Sequence, residues 1–156
     1  MAFYQRKPTR IPNYDYSSNN YYFITICTHN RKCIFGQPSQ RNDFGEIAYH
    51  HISRLGSYYE SVYVEKFVVM PNHVHMILVL DSLNRNNPNV SQIIAQYKSG
   101  VSREIRKMDS SVEVWQRSFH DHIIRNQKSY EKIWQYIETN PLKWEDDCFY
   151  SATSNI

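Results

Sequence analysis

Little in this chain favours the extracellular or membrane classes. Of 156 residues only three are cysteine, at positions 27, 33 and 148, an odd number with no CxxC pair. They read as buried or free thiols of a reducing cytoplasm rather than as a disulfide framework. No apolar run approaches the roughly 18 residues that a spanning helix needs. The opening MAFYQRKPTRIPNYDY has no apolar signal core, so the expected location is cytoplasmic, with no membrane partner. There is no repeat and no low-complexity segment. Charge of one sign is also scarce: 18 Lys plus Arg stand against 15 Asp plus Glu, a net +3. That balance permits a nucleic-acid partner without arguing for one.

What is present suits a single domain over residues 1–156. Apolar residues make up 41%, enough for a core, and the 13 tyrosines can serve in that core or stack on bases at its edge. Residues 1–20 are polar and rich in turn formers, and read as an irregular arm. Tyr21 to Cys27 reads as a strand, and Cys33-Ile34-Phe35 as a short returning strand. Phe44, Ile47, Ala48, His51, Ile52 and Leu55 make a helical stripe, which predicts a helix from Phe44 to about Tyr59 capped by Asp43. Val62 to Met70 and His73 to Leu80 form a hairpin about Pro71-Asn72. A second helix is expected from about Ser91 to Lys107, with Ile94, Tyr97, Val101 and Ile105 buried. Gly100 within it costs about 1 kcal/mol relative to alanine, which suggests close packing or a bend. A strand within Val112–Ile124 and a helix from about Ser129 to Thr139, stopped by Pro141, complete the chain. The order β-α-β-β-α-β is that of the ferredoxin-like α+β fold, an antiparallel sheet with helices on one face, followed here by a C-terminal helix.

Two features carry chemistry. Met70-Pro71-Asn72-His73-Val74-His75-Met76 opens an apolar strand. Residues i and i+2 of a strand share a face about 6.5 Å apart, so His73 and His75 can bind one metal while Val74 enters the core. His120-Asp121-His122 is a second such pair, in a more charged stretch; four histidines together would suggest zinc. On the last helix Tyr130, Ile133 and Ile137 form the packing stripe. Lys132, Tyr136 and Asn140, spaced by four, share another face. That spacing alone favours an ordinary amphipathic helix with a surface tyrosine.

Taken as an ordered set, these segments resemble a known family. MPNHVHMI resembles the His-hydrophobic-His motif of the HUH endonucleases in their single-tyrosine transposase branch. YIETNP at its distance, with VWQRSFHDHIIRN, PLKW and the opening IPNYDYSSNNYYFITICTHNRKCIFG, is most similar to the REP-associated tyrosine transposases. The resemblance covers roughly residues 10–145.

It implies a metal-dependent, single-stranded DNA endonuclease and strand transferase. His73 and His75 would bind Mg2+ or Mn2+ with Asn140 as third ligand, and Tyr136 would be the nucleophile of a 5′-phosphotyrosine intermediate. His122 would be an active-site neighbour at most. From its spacing rather than from the resemblance, Lys132 is a candidate to help ionise Tyr136 or to contact DNA, against the more ordinary reading of a solvated surface lysine. Because Asn140 precedes Pro141, its backbone is expected away from the α region. The implied partner is single-stranded DNA carrying a hairpin, handled by a monomer or a homodimer. Arg31, Lys32, Lys98, Arg103, Arg106, Lys107, Arg117 and Arg125 are candidate phosphate contacts. Two other readings stay open: a hairpin-binding protein that does not cut, and a zinc protein using both histidine pairs.

Overall fold

Successive residues of a strand point to opposite faces, and here each face of one sheet receives its own set of helices. The structure, a computed structural model, describes residues 9–84 and 86–151. Strands β1 (Asn20–Cys27), β4 (Val62–Met70), β5 (His73–Leu80) and β6 (His120–Ile124) form an antiparallel sheet in the order β4-β5-β1-β6. This is the ferredoxin-like arrangement. A small hairpin, β2 (Gly36–Gln37) and β3 (Gln40–Arg41), is inserted after β1.

Tyr22, Ile24 and Ile26 of β1 and Val74, Met76, Leu78 and Leu80 of β5 pack under α1 (Asp43–Ser53) and α2 (Val90–Met108). Ile77 and Val79, the alternate residues of β5, join Ile124 and Ile137 on the opposite face, with Tyr130 and Ile133 against them. That face is covered by α3 (Gln127–Thr139) alone. The residues of β5 are all buried, as a central strand packed on both sides requires.

Several local expectations are corrected. Cys33-Ile34-Phe35 is not a strand. Ile34 and Phe35 are both buried but pair in no strand ladder. Instead the Phe35 N–H donates to the Pro71 carbonyl, and the Phe35 carbonyl accepts from the Asn42 N–H. The cap of α1 is Asn42, not Asp43: its side-chain oxygen accepts from the Gly45 N–H at 2.9 Å while its amide donates to the Ile34 carbonyl. α1 stops at Ser53 rather than near Tyr59, because a 3-10 turn at Leu55–Ser57 drops Leu55 into the core on the way to β4. At Gly100 the packing is close, since a Cβ there would lie 2.9 Å from the His51 ring.

The described part of the expected arm, residues 9–19, is irregular but docked. Tyr16 is buried, and Arg10 pairs with Asp121 at 2.8 Å while lying over the Phe119 ring. Residues 1–8 of that arm lie outside the described residues. Pro141 ends α3 yet does not end helical winding: Asn140 is itself helical (φ −55°, ψ −44°), and a 3-10 segment continues over Asn140–Asp146. Proline fits the first turn of that new segment, where its missing N–H has no partner to lose. Among the described residues no helix is long and apolar enough to cross a membrane.

Candidate active site

The turn at Pro71-Asn72 delivers His73 and His75 to the face beneath α3. Both are buried, with ring centroids 4.5 Å apart. Asn72 fixes the first ring. Its amide nitrogen donates to the carbonyls of Arg31 (3.2 Å) and Phe149 (2.7 Å), so its oxygen faces His73 Nδ1 at 2.8 Å. An amide oxygen only accepts, hence Nδ1 carries the proton and Nε2 is a bare acceptor. Thr25, the cross-strand partner of His75, places its hydroxyl 2.8 Å from His75 Nδ1. Burial lowers the pKa of His73 to about 4, against the opposing pull of Asp147, and holds that of His75 well below 6.5. Both rings are therefore neutral at pH 7.

Asn140 comes to the pair from the end of α3. Its amide nitrogen donates to Asp147 Oδ2 at 2.8 Å, which turns its Oδ1 the other way. Three buried polar atoms are left without a partner here, His73 Nε2, His75 Nε2 and Asn140 Oδ1; His75 Nε2 is a bare acceptor in the tautomer whose Nδ1–H donates to the Thr25 hydroxyl. Buried polar atoms are nearly always satisfied. Two imidazoles and an amide oxygen converging without donors are a donor set suited to a divalent cation. Asp147 Oδ2 lies 3.9 Å from His73 Nε2, and ligand atoms of His73, His75 and Asp147 fall within 4.8 Å of one another.

Tyr136 stands over this cluster, half-exposed, its ring 5.2 Å from that of His75 and edge-on to Phe23 at 6.2 Å. Lys132, Tyr136 and Asn140 line one cavity of about 320 Å³, together with Lys143 and Asp147. Burial first, and then the negative charge of Asp147, raise the Tyr136 pKa above 10. The Phe149 ring covers the imidazoles, 4.5 Å from His73 and 6.0 Å from His75, and the Arg31 guanidinium lies over it.

The other histidine pair does not join the site. Thr25 pairs with both His75 and His120, and Phe23 with both Ile77 and His122. The second pair thus shares the face but lies beyond β1, exposed at the edge strand. Among the described residues, the metal-capable group of His73, His75 and Asp147 includes neither His120 nor His122. A zinc site shared by both pairs does not form.

The basic candidates are scattered. Arg31 and Lys132 border the cluster. Lys32 and Arg117 are exposed on loops, and Arg125 opens a cleft at the start of α3 with Tyr21 and Tyr130. Lys98, Arg103, Arg106 and Lys107 are on α2, across the sheet from the histidines. The Lys98 ammonium is engaged by the carbonyls of Gln116 and Ser118. Sequence reading missed Thr25, Asp147 and Phe149, and treated Asn72 only as a turn former. A polar residue at the i−1 position of His73 was the one signal available for Asn72.

A profile of the family described as "Transposase IS200 like" matches residues 16–140. A Haemophilus influenzae protein whose name assigns no function is 33% identical over 169 residues, spanning 94% of each chain. A second protein of that organism, provisionally named a REP-associated tyrosine transposase, is 26% identical over 82 residues, 48% of this chain and 47% of its own. Among solved structures, a REP-associated tyrosine transposase bound to a REP hairpin superposes with a TM-score of 0.64 at 22% identity, over 92% of this chain and 74% of that one. A provisionally named transposase from Deinococcus radiodurans R1 gives 0.55 at 14% identity, over 83% and 95%. At these identities both structures speak to the fold alone.

Proposed function

The chain belongs to the family of IS200-like transposases, and from that premise we infer that it nicks and rejoins single-stranded DNA beside a hairpin, with Tyr136 as nucleophile and His73, His75 and Asn140 as metal ligands. The observation that carries this reading is the trio of buried, partnerless acceptors, His73 Nε2, His75 Nε2 and Asn140 Oδ1, directly beneath the ring of Tyr136.

Magnesium or manganese bound there would supply Lewis-acid polarisation of the scissile phosphate. Tyr136 Oη attacks the phosphorus in line, the bond to the 3′-oxygen breaks, and a 5′-phosphotyrosine forms. The ester keeps the energy of the broken bond, so a free 3′-hydroxyl reverses the step and joins strands. With its pKa raised above 10 by burial and by Asp147, Tyr136 needs nearby positive charge to react as phenolate. Lys132 and Lys143 on the cavity wall contribute some. On this reading the substrate is single-stranded at the cut, so that an unpaired backbone can meet both the tyrosine and the buried histidines. A relative of the same fold is solved with a REP hairpin, and we extend that class of partner to this chain.

The test is cleavage of a single-stranded oligonucleotide bearing a hairpin, with Mn2+ or with EDTA. The parent should cut only with metal. His73→Ala/His75→Ala should lose both cutting and Mn2+ binding, and His120→Ala should keep both. Cutting that survives EDTA, or loss in His120→Ala alone, contradicts the reading.

A further inference from the structure

We propose that Asp147 is a fourth protein ligand of the metal, a carboxylate added to the two imidazoles and the amide oxygen. This rests on the reading that His73, His75 and Asn140 hold a divalent cation. The Asp147 side chain is 1% exposed. Its Oδ2 accepts from the Asn140 amide at 2.8 Å and its Oδ1 from the Phe149 N–H at 2.8 Å. Among the described residues, the sole basic side chain within 4.0 Å of it is His73, at 3.9 Å, and no lysine or arginine pairs with it.

A buried carboxylate without a cation is costly, and such groups are paired or bound to a metal. The nearest place for that cation is among the orphaned Nε2 atoms, and the carboxylate oxygen lies within 4.8 Å of both imidazole ligand atoms. Donors around one ion are separated by distances of this order.

Asp147 therefore does two things. It orients Asn140, since a carboxylate accepts only and so holds the amide nitrogen, leaving Oδ1 free for the ion. It also adds a hard, anionic oxygen, which turns a donor set dominated by imidazole towards Mg2+ and Mn2+. Four protein donors leave two of six octahedral positions for phosphate oxygens. The segment Asp147–Ser151, already held through Asn72 to the Phe149 carbonyl, is thereby fastened to the ion.

The experiment is Mn2+ titration, read by electron paramagnetic resonance of the free ion, on the parent, Asp147→Asn, Asp147→Glu and His73→Ala/His75→Ala, with circular dichroism as the check of folding. Asparagine keeps the shape and an acceptor oxygen but not the charge. Asp147→Asn should bind Mn2+ at least about tenfold more weakly, and Asp147→Glu should recover part of that loss. Mn2+ should slow amide exchange over Asp147–Ser151 in the parent and not in Asp147→Asn. Parent-like affinity in Asp147→Asn, with binding lost in the histidine variant, would overturn the role of Asp147 alone. Absence of Mn2+ binding by the parent would overturn the metal site itself.

Discussion

At the scale of single residues, the candidate site depends on groups that never touch the substrate. Metal-ligating histidines are oriented by the partner of their second nitrogen, and removing such a partner typically costs about 10–100-fold in metal affinity. Thr25 holds this place for His75. Valine has nearly the shape of threonine but no hydroxyl to hydrogen-bond Nδ1, so Thr25→Val should weaken Mn2+ binding by about that factor while the protein stays folded. A manganese titration beside a thermal melt checks it, and unchanged affinity would remove Thr25 from the site. His73 and His75 were legible in the sequence because the two-residue period of a strand puts them together. Thr25 was not, since which residue of β1 faces His75 is set by strand register, and spacing along the chain does not encode register. Asp147 was hidden for a related reason: the 3-10 segment after Asn140 turns it back into the site.

Among the elements, α3 decides whether Tyr136 meets the histidines. Asn126 caps it through the Ser129 N–H, Ile133 and Ile137 bind it to the sheet, and Lys66 ties β4 to it through Glu138. The 3.6-residue period made this packing stripe readable, along with the neighbouring face of Lys132, Tyr136 and Asn140. Its end at Thr139 was legible, but the helical backbone of Asn140 was not, because the rule against helical residues before proline yields when a new helical turn begins at that proline. The end of α1 escaped notice for a similar reason: tertiary packing of Leu55, not local propensity, terminates it. Ile137 is 1% exposed, and truncating such a residue costs about 2–5 kcal/mol. Ile137→Ala should lower stability by that amount in denaturant unfolding and reduce DNA cleavage through a loosened Tyr136. Stability within about 0.5 kcal/mol of the parent would mean that α3 is not anchored there.

For the whole molecule, one sheet separates two tasks. The face under α1 and α2 is the structural core, while the face under α3 gathers the histidines, the asparagine and the tyrosine from β5 and from α3 with the turn that follows it. The ferredoxin-like order was legible from element periodicity, and the family from the ordered motifs rather than from a modest +3 charge. The central claim is that Tyr136 becomes covalently joined to DNA. The most direct measurement incubates the protein and Mn2+ with a hairpin-bearing single-stranded oligonucleotide, resolves the products on a denaturing gel and maps the attachment site by mass spectrometry. The account predicts a 5′-phosphotyrosine on Tyr136, absent in Tyr136→Phe, with hairpin binding largely retained in that variant. An adduct that persists in Tyr136→Phe, or that maps to another tyrosine, would contradict it.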